Sequence, residues 1–191
     1  ALMITISVDH PQVQDFIRIK RNLTRVTGAN ISVRLTDAFM TAVRDETEYT
    51  LKWPVDSDEP TVTKTVDAKE LWHEIIESAH ACAEPGLLFW DNAKTMTPSD
   101  IYTDEGFGSV STNPCGEIIL SPYDSCRLML VNLKSFVLST FTPEDDFDYE
   151  KLTEVSQKDQ RLMYDMIDLE IEQVDRIIQK IDNDPEPDAV K

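Results

Sequence analysis

Histidine is scarce in this chain, and basic residues are too few to balance its acid. Three of 191 residues are His, and 36 Asp and Glu against 18 Lys and Arg leave a formal net charge of −18. That balance argues against a nucleic-acid groove or an anionic membrane surface as the main partner. It leaves room for one bound nucleotide, because a few backbone N–H groups or arginines suffice locally. Cysteine is limited to three residues, an odd number that does not describe a secreted disulfide framework. No Cys-x-x-Cys is present, which removes a thioredoxin-like motif and a paired zinc knuckle. No signal peptide or long apolar run is visible, so a reducing cytoplasm is the expected location and no membrane is expected as partner.

One stretch nevertheless concentrates chemistry. Residues 111–126 run Ser-Thr-Asn-Pro-Cys-Gly-Glu-Ile-Ile-Leu-Ser-Pro-Tyr-Asp-Ser-Cys. They put an amide (Asn113), a thiol (Cys115) and a carboxylate (Glu117) on alternate residues. In an extended loop alternate residues point the same way, so all three are expected to aim at one small molecule. Pro114 fixes its own φ and Gly116 permits unusual dihedrals, which makes a loop stiff before the thiol and bent after it. No His lies near enough in sequence to suggest a Cys–His pair of the protease type. The residues alone describe a thiol with an acid/base group and a hydrogen-bond donor, and a second thiol, Cys126, for redox work. The plainer alternative is an inert cysteine on a buried turn, but three polar functional groups on one loop are hard to satisfy in a core.

The rest of the chain has the grammar of an α/β fold. Residues 2–8 and the β-branched run 30–35 read as strands, each followed by a helical pattern, 13–21 and 36–43. His10 reads as a structural or capping residue. Residues 49–53 and 62–65 suggest a two-stranded excursion. Residues 68–83 form an amphipathic helix with Leu71, Trp72, Ile75, Ile76 and Ala79 on one stripe, and Cys82 is an ordinary residue near its end. Residues 87–90 read as a short buried strand closed by Asp91 and Asn92, and 95–108 as an irregular loop. Residues 127–136 look strand-like. Residues 140–148 are an acidic, solvated connection, with Pro143 at a helix start. Residues 149–181 carry a long helical pattern, and 183–191 read as a linker or cut end.

Asn113-Pro114-Cys115-Gly116-Glu117, followed by Tyr123-x-x-Cys126 and an apolar run ending Val131-Asn132-Leu133, resembles the active-site finger loop of the ribonucleotide reductase catalytic subunit. The adenosylcobalamin-dependent class II form is the most similar. Further segments resemble the same family in order: Val8-Asp9-His10-Pro11, Asn30-Ile31-Ser32-Val33, Thr36-Asp37-Ala38-Phe39-Met40, residues 83–89 (Ala-Glu-Pro-Gly-Leu-Leu-Phe), residues 166–170 and the tail from Asp184. One departure stands out. The family usually continues Cys-Asn-Leu-Gly-Ser where this chain has Cys126-Arg127-Leu128-Met129-Leu130.

The resemblance implies an α/β fold that is a portion of a ten-stranded barrel, namely the first half-barrel with the finger threading its middle. On that reading 1–182 form a partial catalytic domain with the finger at 111–126. Cys115 would carry the transient thiyl radical, Glu117 would act as general base on the ribose 3′ hydroxyl, and Asn113 would orient the ribose. Cys126 would be half of the reducing dithiol, whose other half the family places upstream of this chain. The implied cofactor is adenosylcobalamin, held mainly by segments outside the chain, together with an external dithiol reductant such as a thioredoxin-like protein. The implied partners are a ribonucleotide substrate and the remaining reductase segments or subunits, with no direct nucleic-acid contact. Two alternatives keep the resemblance: a class I catalytic subunit fed by a separate metal-bearing subunit, and a split fragment that only assembles with other chains.

Overall fold

A computed structural model of the protein describes residues 2–22 and 24–185. It has two compact units, Ala1–Cys126 and Arg127–Lys191. In the first, β1 (Met3–Ser7), β2 (Asn30–Leu35) and β5 (Gly86–Phe89) form a parallel sheet in the order β1-β2-β5. The connections are the helix α1 (Val13–Arg18), which continues into a 3-10 turn at Ile19–Arg21, then α2 (Asp37–Asp45) and α3 (Ala68–Cys82). Between α2 and α3 the antiparallel pair β3 (Glu48–Trp53) and β4 (Val62–Asp67) makes the expected excursion.

Local chemistry sets these boundaries. The Thr36 hydroxyl accepts from the Phe39 N–H at 3.2 Å and Asp67 Oδ1 accepts from the Glu70 N–H at 2.8 Å, so both long helices of this unit start on side-chain caps. Both end on left-handed residues, Glu46 and Ala83. His10 Nδ1 accepts from the Gln12 N–H at 3.1 Å in the turn before α1, a local structural contact; the cap position of α1 is Gln12, and no side chain caps that helix. Val8, Val13, Ile17, Val33, Leu35, Phe39, Leu51, Leu71 and Ile75 fuse sheet, helices and excursion into one core. Cys82 is the last residue of α3 and donates to the Ser78 carbonyl, an unremarkable helix-end contact.

Three expectations are corrected. The strand predicted at 87–90 stops at Phe89, and Trp90, Asp91 and Asn92 open a short helix, α4 (Trp90–Met96). Asp91 Oδ2 there accepts from the Asp37 N–H at 2.8 Å, capping α2 rather than closing a strand. The strand-like run 127–136 is coil ending in a 3-10 turn at Leu133–Phe136. Its leucines are open to solvent, Leu130 at 97%, because a strand needs a neighbour to take its N–H and C=O groups and none is offered among the described residues. Pro143 does not start a helix. After β8 (Val137–Leu138) pairs with β9 (Asp146–Phe147), α5 (Tyr149–Asp182) begins on the Asp148 side chain, which accepts from the Lys151 N–H at 2.8 Å.

No residue of α5 is buried, and its stripe of Met166, Ile171, Val174, Ile177, Ile178 and Ile181 is exposed. The described residues contain an open three-stranded sheet and no closed barrel. No described helix is long and apolar enough to cross a membrane. The predicted linker at 183–191 falls mostly outside the described residues.

The core assignment makes one stability forecast. Phe39 is fully buried and meets the Tyr49 ring edge-on at 5.2 Å. Phe39→Ala should destabilise the unit by about 3–5 kcal/mol. Ile178→Ala on exposed α5 should cost under ~0.5 kcal/mol in the same chain. Urea unfolding followed by tryptophan fluorescence compares the two.

Candidate functional site

Alternation divides the parallel sheet into two unlike faces. The register pairs Ile4 with Ile31, Ile6 with Val33, Val33 with Leu87 and Leu35 with Phe89 on one face, where Ile6, Val33 and Leu35 pack into the core shared with the helices. The intervening residues form the other face: Thr5, Ser7, Asn30, Ser32, Arg34 and Gly86 are small or polar, joined by Met3 and Leu88. Ser32 and Ser7 are nevertheless buried. Gly86 is required there, because a Cβ at that position would stand 2.6 Å from Ser32 Oγ.

What covers this polar face is the finger. Its arms are β6 (Ser111–Thr112) and β7 (Ile119–Leu120), a short antiparallel pair. Three side chains of the face meet the ascending arm. Arg34 Nη1 donates to the Val110 carbonyl at 3.1 Å, Thr5 Oγ1 and Ser111 Oγ lie 3.3 Å apart, and Asn30 Nδ2 donates to the Pro114 carbonyl at 2.8 Å. Arg34 also lies over the buried Trp90 ring, 5.1 Å from its centroid. Its Nε is buried without a hydrogen-bond partner, and burial holds the guanidinium pKa below its ordinary value against the opposing pull of Asp56 and Asp9.

The tip of the finger is a turn, not the extended loop that alternation assumed. The Gly116 N–H donates to the Asn113 carbonyl at 3.0 Å, which closes a four-residue turn with Pro114 second and Cys115 third. Gly116 has φ +84°, the left-handed region that favours glycine. The three predicted groups therefore do not point one way. Asn113 turns inward: it is 5% exposed, and its Oδ1 accepts from the Ile118 N–H at 3.1 Å. Its Nδ2 donor is what remains for a ligand. Cys115 and Glu117 stand exposed on the turn. Cys126 is a half-buried thiol in the coil after β7.

A cleft of about 200 Å³ opens beside the tip, lined by Asn30, Ser32, Glu84, Gly86, Pro114 and Cys115 among others. Glu84 is anchored there: it pairs with Lys20 and accepts from the Ile31 N–H at 2.9 Å. A larger groove of about 640 Å³ runs along α1 and α3, but its Arg18, Glu70, His73 and Glu74 form a solvated charged surface that includes no finger residue. At the C-terminal ends of β1 and β2, the Tyr49 hydroxyl donates to Asp9 and lies 3.1 Å from Thr36 Oγ1. Burial and the Asp9 contact raise the phenol's pKa, so it stays neutral and ties the excursion to the sheet. No group of three or more His, Cys, Asp and Glu among the described residues is arranged to hold a metal ion.

An α/β sheet with one face packed on helices and the other bearing a thiol-tipped turn defines an α/β domain with a loop-borne cysteine. Comparison with known proteins gives the family: residues 1–184 match the ribonucleotide reductase barrel domain, and the chain belongs to that family. It is 32% identical over 189 residues to a vitamin B12-dependent ribonucleoside-diphosphate reductase of Thermoplasma acidophilum, covering 95% of this chain and 23% of that protein. It is 33% identical over 171 residues to the protein of the same description in Mycobacterium tuberculosis (strain CDC 1551 / Oshkosh), 88% of this chain and 23% of the relative. A vitamin B12-dependent ribonucleotide reductase of Streptomyces coelicolor is 30% identical over 179 residues, 81% of this chain and 18% of the relative. The chain thus spans under a quarter of the length of each of these relatives.

Sequence reasoning missed the three residues that hold the finger. The signal for two of them is present: Asn30, Ser32 and Arg34 alternate with Ile31, Val33 and Leu35, a polar face on a strand read only from its β-branched residues.

The inward amide makes a prediction that separates its structural from its ligand-facing half. Asn113→Asp keeps the acceptor for the Ile118 N–H, while Asn113→Ala leaves that N–H unpaired at a cost of about 1–3 kcal/mol. Amide hydrogen exchange at Ile118 should therefore accelerate strongly in the alanine variant and little in the aspartate variant.

Proposed function

We propose that the chain is the finger-bearing portion of a class II ribonucleotide reductase, which reduces ribonucleoside di- or triphosphates to 2′-deoxyribonucleotides. The observation that carries this is Cys115 at the exposed tip of a turn docked on the polar face of a parallel sheet, in a chain of this family. The relatives' vitamin B12 dependence favours the class II form over a class I subunit.

The expected cofactor is adenosylcobalamin, which would supply the radical chemistry when bound. The described residues do not fit it by themselves. The cleft beside Cys115 has about 200 Å³, below the ~300–1,000 Å³ of ordinary small-molecule pockets. Its binding is assigned to segments outside this chain. So is the shielding of the thiol, since a thiyl radical must be kept from water and Cys115 is exposed here. Phe89 on the helix side of β5 is 50% exposed and the stripe on α5 is bare. These apolar surfaces support the reading of a half-barrel that further reductase segments complete.

Within that assembly the chain's own residues divide the work. The Cys115 thiyl takes the 3′ hydrogen atom of the ribose and becomes a thiol. Glu117 accepts the 3′ hydroxyl proton, and the 2′ hydroxyl leaves as water. Cys126 and a partner cysteine outside the chain supply two electrons and two protons and end as a disulfide that a thioredoxin-like dithiol reduces; one proton leaves in the water, the other ends in the new C2′–H bond, and Glu117 returns its proton to the 3′ oxygen. Cys115 then returns the hydrogen atom to C3′. Asn113 offers Nδ2 to a ribose hydroxyl while its Oδ1 keeps the turn.

Two variants of the full-length enzyme test the assignment. Cys115→Ser should reduce no ribonucleotide while still binding it. Glu117→Gln should lose about 10²–10⁴-fold in kcat with binding little changed. Turnover in the serine variant would remove Cys115 from the mechanism, and full activity in Glu117→Gln would remove Glu117.

A further inference from the structure

The contacts under the finger share a spacing. Arg34 meets Val110 and Asn30 meets Pro114, so a four-residue step along β2 is matched by a four-residue step along the finger running the opposite way. Four extended steps along β2 span about 13 Å, and over them the finger runs from its root at Val110 to its turn at Pro114. Thr5 and Ser111 close the remaining degree of freedom from the side, on β1. The Asn30 contact falls on the peptide that joins Pro114 to Cys115.

We infer that β2 is the ruler for the reactive thiol: Asn30 and Arg34 are positioning residues that fix the depth and direction of Cys115 by holding the finger at both ends of its ascending arm. This rests on the reductase reading above, and adds to it two residues outside the finger. Neither needs to touch the substrate. Asn30 holds the turn through the Pro114 carbonyl, and Arg34 holds the root through the Val110 carbonyl while Trp90 braces its guanidinium. The brace holds a half-buried guanidinium that makes no salt bridge among the described residues. The Arg34 head-group serves geometry, and a displacement of the order of 1 Å at a reacting group can cost about 100-fold in rate.

The test uses the full-length enzyme with Asn30→Asp, Asn30→Ala, Arg34→Met and Arg34→Lys. Asn30→Asp has the shape of the native residue and cannot donate to Pro114. Two readouts are taken on each variant: kcat and KM for ribonucleotide reduction, and hydrogen exchange at the Gly116 and Ile118 amides, which hydrogen-bond within the turn. The expected result for both Asn30 variants and Arg34→Met is a fall in kcat of about 10–100-fold with KM nearly unchanged, faster exchange at both amides, and an unmoved melting temperature. Arg34→Lys, which can still donate to Val110, should recover most of the loss.

Unchanged kcat and exchange in Asn30→Asp and Arg34→Met would overturn the proposal. So would a raised KM with kcat intact, which would make these residues substrate contacts. A fall in kcat without faster exchange would overturn it too, since the residues would then act away from the finger. Should the native enzyme reduce no ribonucleotide, the reductase reading fails, and the exchange measurement alone decides whether β2 holds the turn.

Discussion

A β-strand sends successive side chains to opposite faces, and in this protein almost everything about the site follows from how β2 uses that rule. Ile31, Val33 and Leu35 go one way and are buried, Val33 and Leu35 in a core shared with α1, α2 and α3. Asn30, Ser32 and Arg34 go the other way and are covered by the finger. The apolar half fixes the strand's register between β1 and β5, because a slip of one residue would put isoleucine under the finger and serine in the core. The polar half inherits that register. The position of Cys115 is therefore tied, through two hydrogen bonds, to burial on the far side of the sheet.

The finger itself shows how local and non-local terms share the work. Pro114, Gly116 and the Asn113 side chain make the turn from within. They set its shape but not its location. Location comes from Asn30, Thr5 and Arg34, each far away in sequence. The division has a chemical use: Asn113 can give one end of its amide to the turn and keep the other for a ligand, because the turn is held elsewhere as well.

Much of this fold is written in short-range patterns. The run 30–35 was readable because its β-branched residues give way to a helical pattern at Thr36, and α3 because Leu71, Trp72, Ile75, Ile76 and Ala79 form one apolar stripe at helical spacing. α4 was not readable, since Leu-Leu-Phe-Trp continues a strand pattern across the point where Asp91 turns back to cap α2. The run at 127–136 failed for the opposite reason. Its composition suits a strand, but composition cannot supply the neighbour that a strand requires. In the finger, residue types and spacing identified Asn113, Cys115, Glu117 and Cys126 as candidates, whereas their directions were misjudged. Period-two alternation presumes extended backbone, and a proline followed two residues later by glycine is a turn signal that should override it. The contacts of Thr5, Asn30 and Arg34 with the finger depend on pairing between distant segments, which no window of sequence displays.

The order of these parts along the chain has a consequence for how the site comes into being. All three strands of the sheet, residues 3–89, precede the finger at 110–120. A ribosome releases them first, and segments folding in order of synthesis would present a finished polar surface before the cysteine emerges. The finger then has no need to find its shape and its place together. It closes onto a template already made, so the thiol is delivered to its position by the same N-to-C sequence of events that builds the sheet beneath it.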